Sequence, residues 1–200
     1  LDRLWRQGVD RRAAQLGVEV SGVRYGIAVG ANLAARDPQL AKGDLIKADM
    51  GVAVDGYLSD STRTYSLSPA SPEAQRLHGV LEEAFAAGAQ ALKPGAQFGD
   101  VHAAVLATTR RLGLVDYQRG HFGHSIGASH GSEEWPFISA GNDELIEPGM
   151  VLAFETPVYA QGFGALMIKD QFLVTRDGAE AMTTLPRQLT QVDLRAPIAV

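Results

Sequence analysis

The spacing of hydrophobic and polar positions changes period several times along the chain. Over residues 1–16, Leu1, Leu4, Trp5, Val9 and Ala13 recur near helical spacing with arginines between them, which predicts an amphipathic helix. Val23–Val29 reads as a strand. Leu45–Val54 and Gly56–Leu67 alternate and are rich in β-forming residues; the Asp55-Gly56 pair between them is a hairpin signal. Ser71-Pro72-Glu73 starts a helix with a capping Ser, Pro at the first helical position and an acid in the first turn. That helix carries Leu77, Leu81, Ala84, Phe85, Ala89 and Leu92 on one face and stops at Pro94-Gly95. Gly99-Asp100 opens another, with Val101, Val105, Thr108 and Leu112, ended by Gly113. Residues 120–142, rich in Gly, Ser and His, predict loop with short strands. Met150–Tyr159 and Phe163–Thr175 predict a second long hairpin around Gln161-Gly162.

The predicted order is helix, strand, hairpin, two helices, loop with strand, hairpin. Two similar halves that each end in a hairpin suggest a pseudo-duplicated α+β domain, with helices on one face of a curved antiparallel sheet. The domain is expected to occupy residues 1–185, with 186–200 as a surface tail. The chain opens on Leu1 in what reads as mid-helix, so a preceding N-terminal domain is expected to be missing from it.

Composition narrows the classes. The chain has 200 residues, 46% hydrophobic and 20% charged, enough for one sizeable core. Its formal net charge is -5, with no basic run or stripe, which argues against nucleic acid. There are 0 cysteines, which removes disulfides and thiolate chemistry. No apolar stretch approaches the roughly 20 residues of a membrane span, and no signal peptide is visible. The expected setting is therefore the cytoplasm, without a membrane partner.

Against that background a few charged residues stand in costly places. Asp49 and Asp60 lie on opposite arms of the first hairpin, and strand alternation lets both point to one face. An Asp inside an apolar strand needs a partner or a metal ion; for each one alone, a salt bridge to Arg63 would suffice. His121, His124 and His130 cluster in the Gly-rich stretch, where each by itself could be a polar loop residue. Glu155 sits in the apolar run MVLAFETPV and faces Lys169 across the second hairpin, an arrangement that could be a purely structural ion pair. Together, two Asp, a His and a Glu make the oxygen-plus-imidazole set of a hydrolytic metal site.

At this point the motifs carry a resemblance. KGDLIKADMG, GYLSDSTRTY, HFGHSIG, EPGMVLAFETPVY and GALMIKDQFLVT occur in order between about Gly26 and Gly178, with the two Asp 11 residues apart. They resemble the catalytic domain of the methionine aminopeptidase, Xaa-Pro peptidase and creatinase family, the pita-bread fold. GYLSDSTRTY and EEWPFI look closer to the Xaa-Pro peptidase and creatinase branch. The resemblance implies a curved antiparallel sheet with helices on its outer face. It also implies a water activated by two metal ions, and a small peptide or amide substrate; the protein is expected to be a homodimer.

By the same resemblance Asp49, Asp60, His124 and Glu155 occupy metal-ligand positions. Glu155 and His130 would handle protons, and His121 and Tyr159 would line the substrate pocket. Several positions depart from the family pattern. A metal-bridging Glu is replaced by Lys169, and the Arg two residues earlier by Met167. A further His falls at Gly131, with His130 one position away, and an upstream His has no counterpart near Ala35–Asp37.

The substitution at Lys169 changes the charge balance. Four carboxylates balance two divalent ions; three carboxylates and one ammonium balance a single ion. A unit charge pair at 4 Å is worth roughly 4 kcal/mol at an effective dielectric of 20, so a second ion is disfavoured. The expectation is one divalent ion (manganese, cobalt or zinc) on Asp60, His124 and Glu155, with Lys169 beside Asp49 in place of the second; the alternative is no ion at all. The resulting reading is a divergent metal-dependent hydrolase of the Xaa-Pro aminopeptidase and dipeptidase type. Alternatives are a catalytically degenerate binding or regulatory protein of the same fold, or a metal-free creatinase-type C–N hydrolase.

Overall fold

The computed structural model describes residues 2–33, 39–128 and 133–193. Helix α1 (Asp2–Leu16) precedes strand β1 (Val20–Val29). The first hairpin is β2 (Leu45–Val54), β3 (Tyr57–Leu58) and β4 (Ser61–Leu67). Its turn has positive φ at both Asp55 (51°) and Gly56 (83°), the twist that a two-residue hairpin loop needs. Helices α2 (Pro72–Ala91) and α3 (Phe98–Arg111) follow, then β5 (His121–Ser125) and β6 (Glu134–Ser139). The second hairpin is β7 (Val151–Ala160) and β8 (Gly164–Val174); short strands β9 (Ala179–Ala181) and β10 (Thr190–Val192) come last.

Local chemistry explains the helix starts. Ser71 Oγ accepts the Ala74 N–H at 3.1 Å, with Pro72 in the first turn. Helix α3 begins slightly earlier than Gly99, because the Asp100 carboxylate reaches back to accept the Gln97 N–H at 3.2 Å.

The main path of the sheet runs β1-β2-β4-β8-β7-β5-β6. These neighbours are antiparallel, and the two hairpins abut where β4 meets β8, a seam registered by the pair Thr62 and Lys169. Each half thus contributes a hairpin to the middle of one curled sheet, the α+β architecture that the two-half pattern predicts and the pita-bread fold that the family resemblance implies. On one face, Leu166, Ile168, Phe172 and Val174 of β8 and Leu152 and Phe154 of β7 pack against Leu81, Phe85, Val101 and Val105 of α2 and α3. This is the main core, where each fully buried aliphatic or aromatic side chain contributes roughly 1.5–3 kcal/mol. Alternation sends Thr62, Glu155 and Lys169 to the other face.

Residues 186–193 do not form the loose tail expected from Pro186. Strand β10 pairs in parallel with β4, Thr190 opposite Tyr65. The Arg63 guanidinium donates to the carbonyls of Leu185 and Pro186, and Arg187 binds Asp170 at 2.7 Å. The segment is held by these buried polar partners, which its own polar sequence does not reveal. No helix among the described residues is long and apolar enough to cross a membrane.

Candidate active site

The seam between the hairpins gathers charge. Asp49 comes from β2, Asp60 from the short break between β3 and β4, His124 from β5, Glu155 from β7 and Lys169 from β8. Gly51 permits the break: a Cβ there would lie 2.1 Å from the Ser59 carbonyl oxygen. The Asp60 N–H donates to Gln171 Oε1 at 3.0 Å, which fixes the loop on β8.

Lys169 is the hub. Its Nζ lies 3.0 Å from Asp60 Oδ2, 3.0 Å from Glu155 Oε2 and 3.5 Å from Asp49 Oδ1. Burial alone would lower the ammonium's pKa, but Glu155, Asp60 and Asp49 outweigh it and raise it, so the group stays charged. The same balance acts on Asp60. Burial pushes its carboxyl up, yet His124, Lys169 and Arg24 hold it well below the usual carboxylate range. For His124, burial pulls the imidazole pKa down, while Asp60 and the Ser125 carbonyl outweigh it and raise it.

Three further cations enter that the sequence motifs do not announce. Arg24 Nη2 stands 2.6 Å from Asp60 Oδ1, Arg119 Nη2 is 3.3 Å from Glu155 Oε1, and Lys47 Nζ is 3.4 Å from Asp49 Oδ2. Lys47 was legible in principle, since it shares a strand face with Asp49. Arg24 comes from β1, across the ladder from Gly51, and Arg119 from the loop before β5; neither has a local sequence signal. Thr62 Oγ1 donates to Asp49 Oδ1 at 2.8 Å. Arg63, the expected partner of an Asp in this hairpin, instead binds Asp170 at 2.6 Å on the opposite face of β4, as its odd-even position requires.

His121 and Tyr159 border the cluster. The His121 ring centroid is 6.4 Å from that of His124, and its Nε2 is 4.0 Å from exposed Glu133. The Tyr159 ring has Lys47 Nζ 5.4 Å from its centroid and the Arg119 guanidinium carbon 5.7 Å away. Gly131 and His130, with its expected proton-handling role, lie outside the described residues, as does the stretch 35–37.

Whether these residues suit metal ions turns on two atoms. His124 Nδ1 is 3.0 Å from the Ser125 carbonyl, and its buried Nε2 is aimed at Asp60 Oδ2, 3.5 Å away, so the ring is directed into the cluster. Yet Lys169 Nζ occupies the point on which Asp60 and Glu155 converge, nearer to them than to Asp49, the reverse of the expected placement. The cause is register, because Lys169 lies directly across from Glu155 in the β7–β8 ladder. Among the described residues no three His, Asp or Glu side chains are disposed to hold a metal ion. Counting Arg24, Arg119 and Lys47, the cations already outnumber the carboxylates, so the one-ion charge balance drawn from the motifs no longer holds. As placed, these residues do not fit a two-ion centre.

Fold and motif content together define the class. Residues 3–176 match the model of metallopeptidase family M24, and the chain belongs to that family. It is 36% identical over 150 residues to the Bacillus subtilis (strain 168) protein named "Putative dipeptidase YkvY", covering 75% of this chain and 41% of that one. The crystal structure of dipeptidase PepE from Mycobacterium ulcerans superposes with a TM-score of 0.81 at 32% identity, covering 88% of this chain and 48% of that one. The X-Pro aminopeptidase from Thermotoga maritima MSB8 gives 0.80 at 27%, covering 86% and 51%. The chain thus spans about half the length of the relatives it matches.

Proposed function

We propose that this chain carries the catalytic fold of a dipeptidase-like hydrolase whose substrate is a short Xaa-Pro-type peptide or a related small amide. The observation that carries the reading is the convergence of Asp49, Asp60, His124 and Glu155 on one buried seam, in a chain whose relatives are named as dipeptidases. In this reading Glu155 and the His124 imidazole would exchange protons with a bound substrate, and His121 and Tyr159 would border it. A metal-dependent form of this activity needs one divalent ion (manganese, cobalt or zinc) on Asp60, His124 and Glu155. It also needs Lys169 to withdraw from them.

One observation favours a second reading. The ammonium of Lys169 stands among the three carboxylates where it competes with a cation for them, which suits a domain that binds peptides without cleaving them. Metal analysis of the purified protein, paired with Xaa-Pro dipeptide turnover with manganese or cobalt and with chelator, decides between them. Turnover that requires metal establishes the hydrolase. Turnover that survives chelator points to metal-free C–N hydrolysis. Peptide binding with neither metal nor turnover leaves the binding module.

A further inference from the structure

The carboxylates of the seam are covered by cations one oxygen at a time. Lys169 Nζ takes one oxygen from each: Asp49 Oδ1 at 3.5 Å, Asp60 Oδ2 at 3.0 Å and Glu155 Oε2 at 3.0 Å. The other oxygen of each faces a different cation. Asp49 Oδ2 has Lys47 at 3.4 Å, Asp60 Oδ1 has Arg24 at 2.6 Å and Glu155 Oε1 has Arg119 at 3.3 Å. The outer contact on Asp60 is the shortest of these. Arg24 makes it from the solvent side: its side chain is 41% exposed, whereas those of Asp60 and Lys169 are 1% and 4% exposed. It stands across the β1–β2 ladder from Gly51. The guanidinium passes over that bare Cα, where a Cβ would already touch Nη2 at 3.4 Å. Asp60 is thus held from within by a lysine and from outside by an arginine, whose charge no ordinary pH removes. A divalent ion ligated by Asp60 would sit about 2 Å from a carboxylate oxygen, against both cations at once. Lys169 leaves one Asp60 oxygen free, and Arg24 claims it.

We propose that Arg24 and Lys169 form a two-cation lock on Asp60, which fills the charge role of divalent ions so that the chain as it stands takes up none at this seam. Arg24 is the outer half of the lock. Replacing Lys169 by a carboxylate therefore opens only the inner half, and an ion entering there still competes with the guanidinium for Asp60. The lock concerns ions, so it stands or falls separately from peptide recognition.

Manganese titration of the intact chain, freed of metal by chelator and followed by calorimetry and melting curves, tests the lock. The proteins compared are the parent, Arg24→Gln, Lys169→Glu and the double variant. The parent and Arg24→Gln should show no binding heat and no shift in melting temperature at millimolar manganese. Lys169→Glu should bind weakly. Adding Arg24→Gln to it should tighten binding about tenfold and enlarge the manganese-dependent shift accordingly. Arg24→Lys in the Lys169→Glu background keeps the charge but loses the planar fork, so its affinity should fall between the two. It carries the test if the double variant does not fold. Manganese bound wherever Arg24 is replaced and nowhere else would also support the lock, with Arg24 as its stronger half. Manganese bound by the parent overturns it. Equal affinity of Lys169→Glu with and without the Arg24 substitution does so too, as does binding by none of the variants, since the cations would then not be what keeps ions out. Ala-Pro titrated into the metal-free parent reads peptide binding separately. No Ala-Pro binding removes the peptide reading and leaves the lock in place, whereas a parent that binds both Ala-Pro and manganese does the reverse.

Discussion

Lys169 stands directly across from Glu155 in the β7–β8 ladder, and its ammonium meets that carboxylate at 3.0 Å with Asp60 equally close. A cation built into the strand therefore does the charge balancing that an ion would otherwise do. Removing one partner of a buried ion cluster leaves the rest uncompensated, at a cost of about 3–5 kcal/mol. Lys169→Met is expected to lose stability on that scale in urea unfolding. Lys169→Glu should be at least as unstable in chelator, and should gain more in melting temperature from added manganese than the parent, since only a bound ion can offset its extra carboxylate. Calorimetry should show more manganese bound per chain. No manganese-dependent shift in the variant would mean that Arg24 and Arg119, rather than Lys169, keep ions out.

On the opposite face of the same seam, Asp170 accepts from both Arg63 Nη2 (2.6 Å) and Arg187 Nε (2.7 Å). Arg63 also donates to the carbonyls of Thr62, Lys169, Leu185 and Pro186. One guanidinium thus joins β4, β8 and the last described segment. Asp170→Asn removes the charge that holds both arginines, and an expected loss of about 3 kcal/mol follows from stripping one partner from a buried pair. The effect should spread to residues 183–192, whose amides should exchange faster and which should become the first site of protease cleavage. Unchanged exchange there would show that β10 pairing alone holds the segment.

Much of this arrangement could be read from the residues. The Asp55-Gly56 turn, the Ser71-Pro72 helix start and the alternation of the two hairpins all express local preferences, and each forms where the pattern places it. Asp49, His124, Glu155 and Lys169 share a face through strand alternation, and Asp60 joins them from the break before β4, where Gln171 holds its N–H. What the pattern could not supply is partner choice across the sheet. Arg24 and Arg119 reach the seam from elements far away in sequence, and Arg63 turns to Asp170 because its own side of β4 faces away from Asp49 and Asp60. The strand at Thr190–Val192 is exposed and polar, so only its long-range partners reveal it.

Gly88 lies in α2 where the helix crosses β7. A Cβ there would stand 2.3 Å from the Phe154 ring and 2.9 Å from Val105 Cγ2. Glycine inside a helix ordinarily costs up to about 1 kcal/mol against alanine, so the site runs against propensity for the sake of close packing. Gly88→Ala should therefore destabilise, by about 1–3 kcal/mol, instead of stabilising the helix. Urea midpoints compared with a control in the same helix, Gly79→Ala, where an added Cβ meets nothing within 4 Å, test this. A stabilised Gly88→Ala would show that Phe154 can move aside.

His78 is buried in α2, its Nε2 has no hydrogen-bond partner, and its Nδ1 lies 3.7 Å from Glu82. Burial, with help from the Arg63 charge, pulls its pKa from the ordinary 6.5 down to about 4. The folded state therefore keeps the ring neutral while the unfolded chain takes up a proton near pH 6.5. Stability from this site is fully present above pH 6.5 and is lost as pH falls from there toward 4. The full loss amounts to about 3 kcal/mol, taking roughly 1.4 kcal/mol for each unit of pKa. Burial also raises the Glu82 carboxyl's pKa, so this neighbouring acid loses its charge early and can offset only part of the cost. His78→Gln removes the titrating ring. Its urea midpoint should fall less steeply than the parent's between pH 6.5 and 4, even if it starts lower at pH 7. Parallel curves for the two proteins over that range would place the acid sensitivity elsewhere.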